Sequence, residues 1–155
     1  MVGPSNSGKT ELICRLLEWF AADNLRVAVL KHSHHQHLGD DGKDTWRYRQ
    51  AGARLAALAA PGLLQITRAY PQEPALMAVL AELAPEADLI LVEGYKSSDL
   101  PKVAVAPADA AVKLPDYLHL IAWVSTRPLP TTLPVFHPDQ VAEIGRFIRD
   151  RLGCR

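Results

Sequence analysis

Gly3-Pro4-Ser5-Asn6-Ser7-Gly8-Lys9-Thr10 stands at the head of the chain and fits the pattern G-x-x-x-x-G-K-[ST]. Directly behind it, Leu12, Ile13, Leu16, Leu17 and Phe20 recur at the spacing of one helix face, so Glu11–Phe20 is predicted to be an amphipathic helix that opens on this loop. The glycines let the backbone curl until successive N–H groups point at one place, and the helix N-terminus adds favourable potential for an anion. Lys9 supplies an ammonium for the β- and γ-phosphates, and the Thr10 hydroxyl stands where Mg²⁺ is held. The ligand implied is a nucleoside triphosphate with Mg²⁺. Its binding residues are Gly3, Ser5, Asn6, Ser7, Gly8, Lys9 and Thr10, and Lys9 is one of two catalytic candidates.

Outward from this loop, strands and helices alternate. Leu25–Lys31 is an unalternating run of Val, Ala and Leu, the pattern of a parallel strand covered on both faces. Helical candidates are Lys43–Ala51, ended by Gly52, then Ala75–Leu83 and Asp139–Leu152, with Asp139 as the expected cap of the last. Strand candidates are Arg54–Ala59, whose alanines fit a helix equally well, Leu63–Thr67, Asp88–Val92, Lys102–Ala106 and Leu118–Ser125. The expected architecture is α/β: a three-layer P-loop NTPase fold in a single domain over residues 1–155, with a mostly parallel central sheet and its ligand beyond the carboxyl ends of the strands. Only Met1 and Val2 precede Gly3, so the first strand is expected to be truncated, and this form to be less stable and to bind nucleotide more weakly than an upstream-extended one.

Composition narrows the function classes. The chain has 155 residues, 48% of them hydrophobic and 22% charged, which argues for a packed core and against disorder. Seventeen Lys and Arg balance seventeen Asp and Glu without blocks of like charge, which argues against nucleic acid or a membrane surface as partner. Cys14 and Cys154 make neither a disulfide framework nor a zinc signature. No apolar stretch approaches the ~18 residues of a bilayer span, so a cytoplasmic location is expected.

Further polar groups follow the strands. Lys31-His32-Ser33-His34-His35-Gln36-His37 admits three readings: a transition-metal site, a loop that responds to nucleotide or polyanion, or a solvated loop. Asp40 and Asp41 either reach Mg²⁺ through water or cap the helix behind them. Trp46-Arg47-Tyr48-Arg49 suits an anionic partner or a salt-bridged face. Asp88-Leu89-Ile90-Leu91-Val92-Glu93-Gly94 has the form of an apolar strand delivering a carboxylate beside Mg²⁺, which makes Glu93 the second catalytic candidate and a metal candidate with Thr10, Asp40 and Asp41. No N/T-K-x-D signature is present, so motifs do not choose between ATP and GTP.

Together, GPSNSGKT from Gly3, KHSHH from Lys31, GKDTWRYRQAGA from Gly42, LILVEGYK from Leu89 and IAWVSTRPL from Ile121 resemble the MobB family of molybdopterin-guanine dinucleotide biosynthesis proteins. The family pattern often has Asp where this chain has Thr126. The resemblance implies GTP and Mg²⁺ as ligands, weak GTPase activity, a homodimer, and support of the guanylyltransferase MobA, with molybdopterin in the same setting. Matched by position, Gly8, Lys9 and Thr10 hold phosphate and metal, Glu93 has the Walker B role, His32, His34 and His35 form the family's histidine loop, and Asp40 or Asp41 is the acidic position after it. Hydrolysis is expected to be slow, because no residue is identifiable as a water-positioning group or an arginine finger, for which Arg47 and Arg49 are the candidates. A small-molecule kinase or ATP-dependent ligase of the same fold is the alternative, and a scaffold that binds no nucleotide is a third reading.

Overall fold

The computed structural model describes residues 1–33, 38–107, 109 and 113–153. In chain order these form α1 (Lys9–Ala22), β1 (Val27–Lys31), α2 (Asp44–Gln50), β2 (Leu55–Ala60), β3 (Leu63–Arg68), α3 (Leu76–Leu83), β4 (Leu89–Glu93), β5 (Lys102–Val105), β6 (Leu120–Val124), β7 (Val135–Phe136) and α4 (Val141–Leu152). The chain divides into two compact units, Met1–His32 with Leu80–Arg155, and Ser33–Val79.

In the first unit β1 runs parallel to β4, in the register Val27↔Leu89 to Lys31↔Glu93. Arg26 and Asp88 fix the start of that register: the guanidinium grips the carboxylate through Nη2 at 2.7 Å and Nε at 3.1 Å, and the Arg26 amide donates to the same group at 3.0 Å. That ion pair holds the Asp88 carboxyl below the usual carboxylate range. β5, β6 and β7 form a second parallel group in that order. Between β4 and β5 lie Met1 and Val2. Met1 N donates to Val92 O at 2.6 Å and Gly94 N to Met1 O at 3.1 Å, while Val2 N donates to Val103 O and Val105 N to Val2 O. The short first strand expected from sequence is therefore a two-residue link joining the two parallel groups. Beside it a cavity of about 150 Å³ opens, lined by apolar residues such as Leu91, Val103, Ile121 and Ile148.

One face of these strands carries the main core. Leu12, Ile13, Leu16 and Phe20 of α1 and Ile144 and Ile148 of α4 pack on Leu89, Leu91, Val103, Val105 and Val124. Burial of each such side chain contributes roughly 1.5–3 kcal/mol. On the other face Val2, Ala104 and Trp123 are covered by Leu114, Tyr117, Leu129 and Leu133, which belong to irregular segments. α1 and α4 cross at Gly145, where the Trp19 ring occupies the space a side chain would need.

Several expectations need correction. β1 is not fully covered: Val29 is exposed, and Val27, Ala28 and Leu30 are only partly buried. Asp139 does not cap α4: the N-cap is Gln140, and Asp139 instead accepts from Arg15 at 3.1 Å. β7 lies between Pro134 and Pro138 and is too short to leave a periodic signal.

In the second unit β2 and β3 form an antiparallel hairpin closed by Pro61-Gly62, with Ala57↔Ile66 at its centre. Only the first of these strands is rich in alanine, and most residues of both are exposed. On one hairpin face Ala56 and Thr67 are buried, in the unit where α2 packs on β2. The opposite face, with Leu55, Ala57, Leu64 and Ile66, lies open.

Candidate functional site

The glycine-rich loop joins Val2 to α1. Three positions in it take left-handed backbone: Gly3 at φ 147°, Asn6 at 57° and Gly8 at 87°. Gly3 also passes so close to β5 that an added Cβ would lie 2.6 Å from Val105 O. Gly8 is the N-cap of α1, and no side chain caps that helix, which leaves its first amides to the loop's concave side.

Lys9 folds back over the loop, donating to Pro4 O at 2.5 Å and reaching Ser7 Oγ at 3.5 Å. Partial burial lowers its pKa from the ordinary lysine value. Glu93 opposes that shift, and Lys96 and Lys31 add to it. Thr10, one residue on, donates through Oγ1 to Glu93 Oε2 at 3.3 Å. Glu93 ends β4 and is buried, so its carboxylate is presented at the carboxyl edge of the strands, where this class of sheet receives its ligands. Its other oxygen lies 3.6 Å from the Lys31 ammonium.

Lys9, Thr10 and Glu93 are thus brought together by three elements: the loop, the first turn of α1 and the end of β4. A hydroxyl and a carboxylate are hard oxygen donors, the set Mg²⁺ prefers when phosphate and water complete its shell. The curled loop and the open helix terminus fit a phosphate chain, so the residues present fit both groups. Among the described residues no cluster of three or more His, Cys, Asp or Glu is arranged to hold a metal by itself.

His32 follows β1, donates its amide to Glu93 O at 2.9 Å and stacks on Tyr95 with ring centroids 4.2 Å apart. His34, His35 and His37 lie outside the described residues. Asp40 belongs to the second unit, where its carboxylate accepts from Arg49 at 2.5 Å and Thr45 at 3.5 Å. Asp41 is in the same unit and exposed. Arg49 is engaged by Asp40, and Arg47 sits 3.9 Å from Asp44 on α2. Tyr95 was not singled out from the sequence. Its φ of 47° follows Gly94 at 97°, and the pair turns the chain sharply after Glu93. A Gly-aromatic step behind a strand-ending acid is the signal that marks it.

The family of molybdopterin guanine dinucleotide synthesis protein B matches residues 1–126 of the chain. This protein belongs to the MobB family. The molybdopterin-guanine dinucleotide biosynthesis adapter protein of Haemophilus influenzae is 33% identical over 156 residues, covering 98% of this chain and 87% of its own. The probable adapter protein of Bacillus subtilis is 34% identical over 148 residues, covering 90% and 84%. Among solved structures, the crystal structure of a MobB homologue from Bacillus stearothermophilus superposes with a TM-score of 0.73 at 28% identity, covering 99% of this chain and 96% of that one. The MobB fold, mixed α/β with parallel strands, is therefore the fold of this chain.

Proposed function

We propose that this MobB-family chain is a GTP-binding adapter in molybdopterin-guanine dinucleotide biosynthesis, acting in the cytoplasm and assisting the guanylyltransferase MobA as it joins GMP to molybdopterin. The observation that carries the nucleotide part is the convergence of Thr10 and Glu93, 3.3 Å apart, at the mouth of a loop curled by Gly3, Asn6 and Gly8. The pathway part is supported by the names of the relatives from Haemophilus influenzae and Bacillus subtilis.

In this reading Gly3, Ser5, Asn6, Ser7 and Gly8 enclose the phosphates, Lys9 turns from Pro4 O to the β- and γ-oxygens, and Thr10 with Glu93 holds Mg²⁺. The metal, when bound, neutralises phosphate charge. His32, whose amide donates to Glu93 O, contributes an imidazole on the ligand side of the strands. Turnover is slow at most, and both arginine candidates of α2 already face acids of their own unit. The homodimer is supported by the open apolar hairpin face of Leu55, Ala57, Leu64 and Ile66, because an isolated two-stranded hairpin is marginally stable in water. The cytoplasmic assignment agrees with the described helices, none of which is long and apolar enough to cross a membrane.

Isothermal titration with GTP and with ATP, each with Mg²⁺, tests the reading, followed by a guanylyltransferase assay with MobA present. GTP binding at least tenfold tighter than ATP, and a higher yield of dinucleotide on addition of this chain, are the expected results. Heat from neither nucleotide would overturn the proposal.

A further inference from the structure

Thr10 and Lys31 address opposite oxygens of one carboxylate. Thr10 Oγ1 lies 3.3 Å from Glu93 Oε2, and Lys31 Nζ lies 3.6 Å from Glu93 Oε1. The arrangement follows from strand register: β1 and β4 are parallel and pair Lys31 with Glu93 as their last residues, so both side chains leave the sheet at its carboxyl edge. The two partners differ in freedom. The Glu93 side chain is 11% exposed and that of Lys31 61%, so a fixed anion is matched by an ammonium on a flexible stem.

A buried carboxylate is costly unless it is paired. Lys9, the ammonium that the loop motif supplies, is occupied with Pro4 O and Ser7 Oγ, and Lys31 is the lysine within salt-bridge distance of Glu93 among the described residues. Lys31 is therefore a direct counter-charge to Glu93. Thr10 and Glu93 would hold Mg²⁺, whose two positive charges would satisfy the same carboxylate and repel an ammonium placed against it. The strongest local anion at that point is the terminal phosphate, which the same Mg²⁺ brings in.

We propose that Lys31 is the residue by which the site distinguishes a nucleoside triphosphate from a diphosphate: it pairs with Glu93 before nucleotide binds, and its side chain swings to the terminal phosphate when Glu93 would instead hold Mg²⁺. This rests on the nucleotide reading above. A diphosphate brings no terminal group within reach, so Lys31 gains nothing by leaving Glu93, and the preference is tied to Mg²⁺. Lys31 is a positioning and specificity residue here, with no part in bond cleavage.

The test is isothermal titration of the whole chain with GTP and GDP, with and without Mg²⁺, on the unaltered protein, Lys31→Met and Lys31→Arg. With Mg²⁺, Lys31→Met loses about tenfold of the preference for GTP over GDP while its GDP affinity is unchanged, and Lys31→Arg recovers part of the loss. Without Mg²⁺ the unaltered protein shows the same low preference as Lys31→Met. Without nucleotide, Lys31→Met melts at a lower temperature, because Glu93 has lost its counter-ion. An unchanged preference in Lys31→Met, or equal weakening of both nucleotides, refutes the role of Lys31 and leaves the nucleotide site standing. Binding of neither nucleotide by the unaltered protein removes both proposals together.

Discussion

Thr10 Oγ1 donates to Glu93 Oε2 across 83 positions of sequence, tying the first turn of α1 to the last residue of β4. Neither residue carries chemistry alone. A threonine in a helix start and a glutamate at a strand end are ordinary, and their meaning comes from the glycine loop that sets one beside the other. The main core does the placing: Leu12, Leu16 and Phe20 on one side and Leu89 and Leu91 on the other lock α1 against β4, so the hydroxyl and carboxylate meet without a flexible connection.

Lys9→Ala tests the loop directly. Its ammonium donates to Pro4 O and reaches Ser7 Oγ, contacts that phosphate oxygens would replace. Removal costs roughly 1.5–3 kcal/mol in nucleotide affinity, at least a tenfold weaker Kd by titration calorimetry. Affinity equal to that of the unaltered chain would place the phosphate site elsewhere.

Gly145→Ala tests the scaffold under the site. A Cβ at that position collides with the six-membered ring of Trp19, so α1 and α4 must move apart or the indole must leave its pocket. Overpacking of this kind costs about 1–3 kcal/mol, and thermal unfolding should fall by several degrees. Gly145→Ala combined with Trp19→Leu should recover most of that loss. A melting temperature unchanged by Gly145→Ala alone would show that the helices are not in close contact there.

How much of this was legible in the sequence depended on contrast. α1 is marked by five apolar residues at helical spacing, β4 by an uninterrupted apolar run, and both lie within about two residues of their expected bounds. Leu55–Ala60 and Leu63–Arg68 read as extended, but their antiparallel pairing did not, because alanine gives little contrast between covered and open faces. The Arg49–Asp40 pair joins residues nine apart across a turn, a contact that depends on the path of the chain. Asp139 looked like a cap, and Arg15 claimed it from 124 positions away. Of the candidate site, the local motif was readable, whereas the Lys31–Glu93 opposition required the register of two strands.

Ile66→Lys tests the homodimer. Ile66 is paired with Ala57 in the middle of the open hairpin face, where the side chain is more than half exposed, so a lysine is tolerated by the isolated chain. At the centre of an apolar contact between copies it would be desolvated without a partner. Sedimentation velocity should show the unaltered chain as a dimer and Ile66→Lys as a monomer with the same circular dichroism. A dimer that survives this change does not use that face.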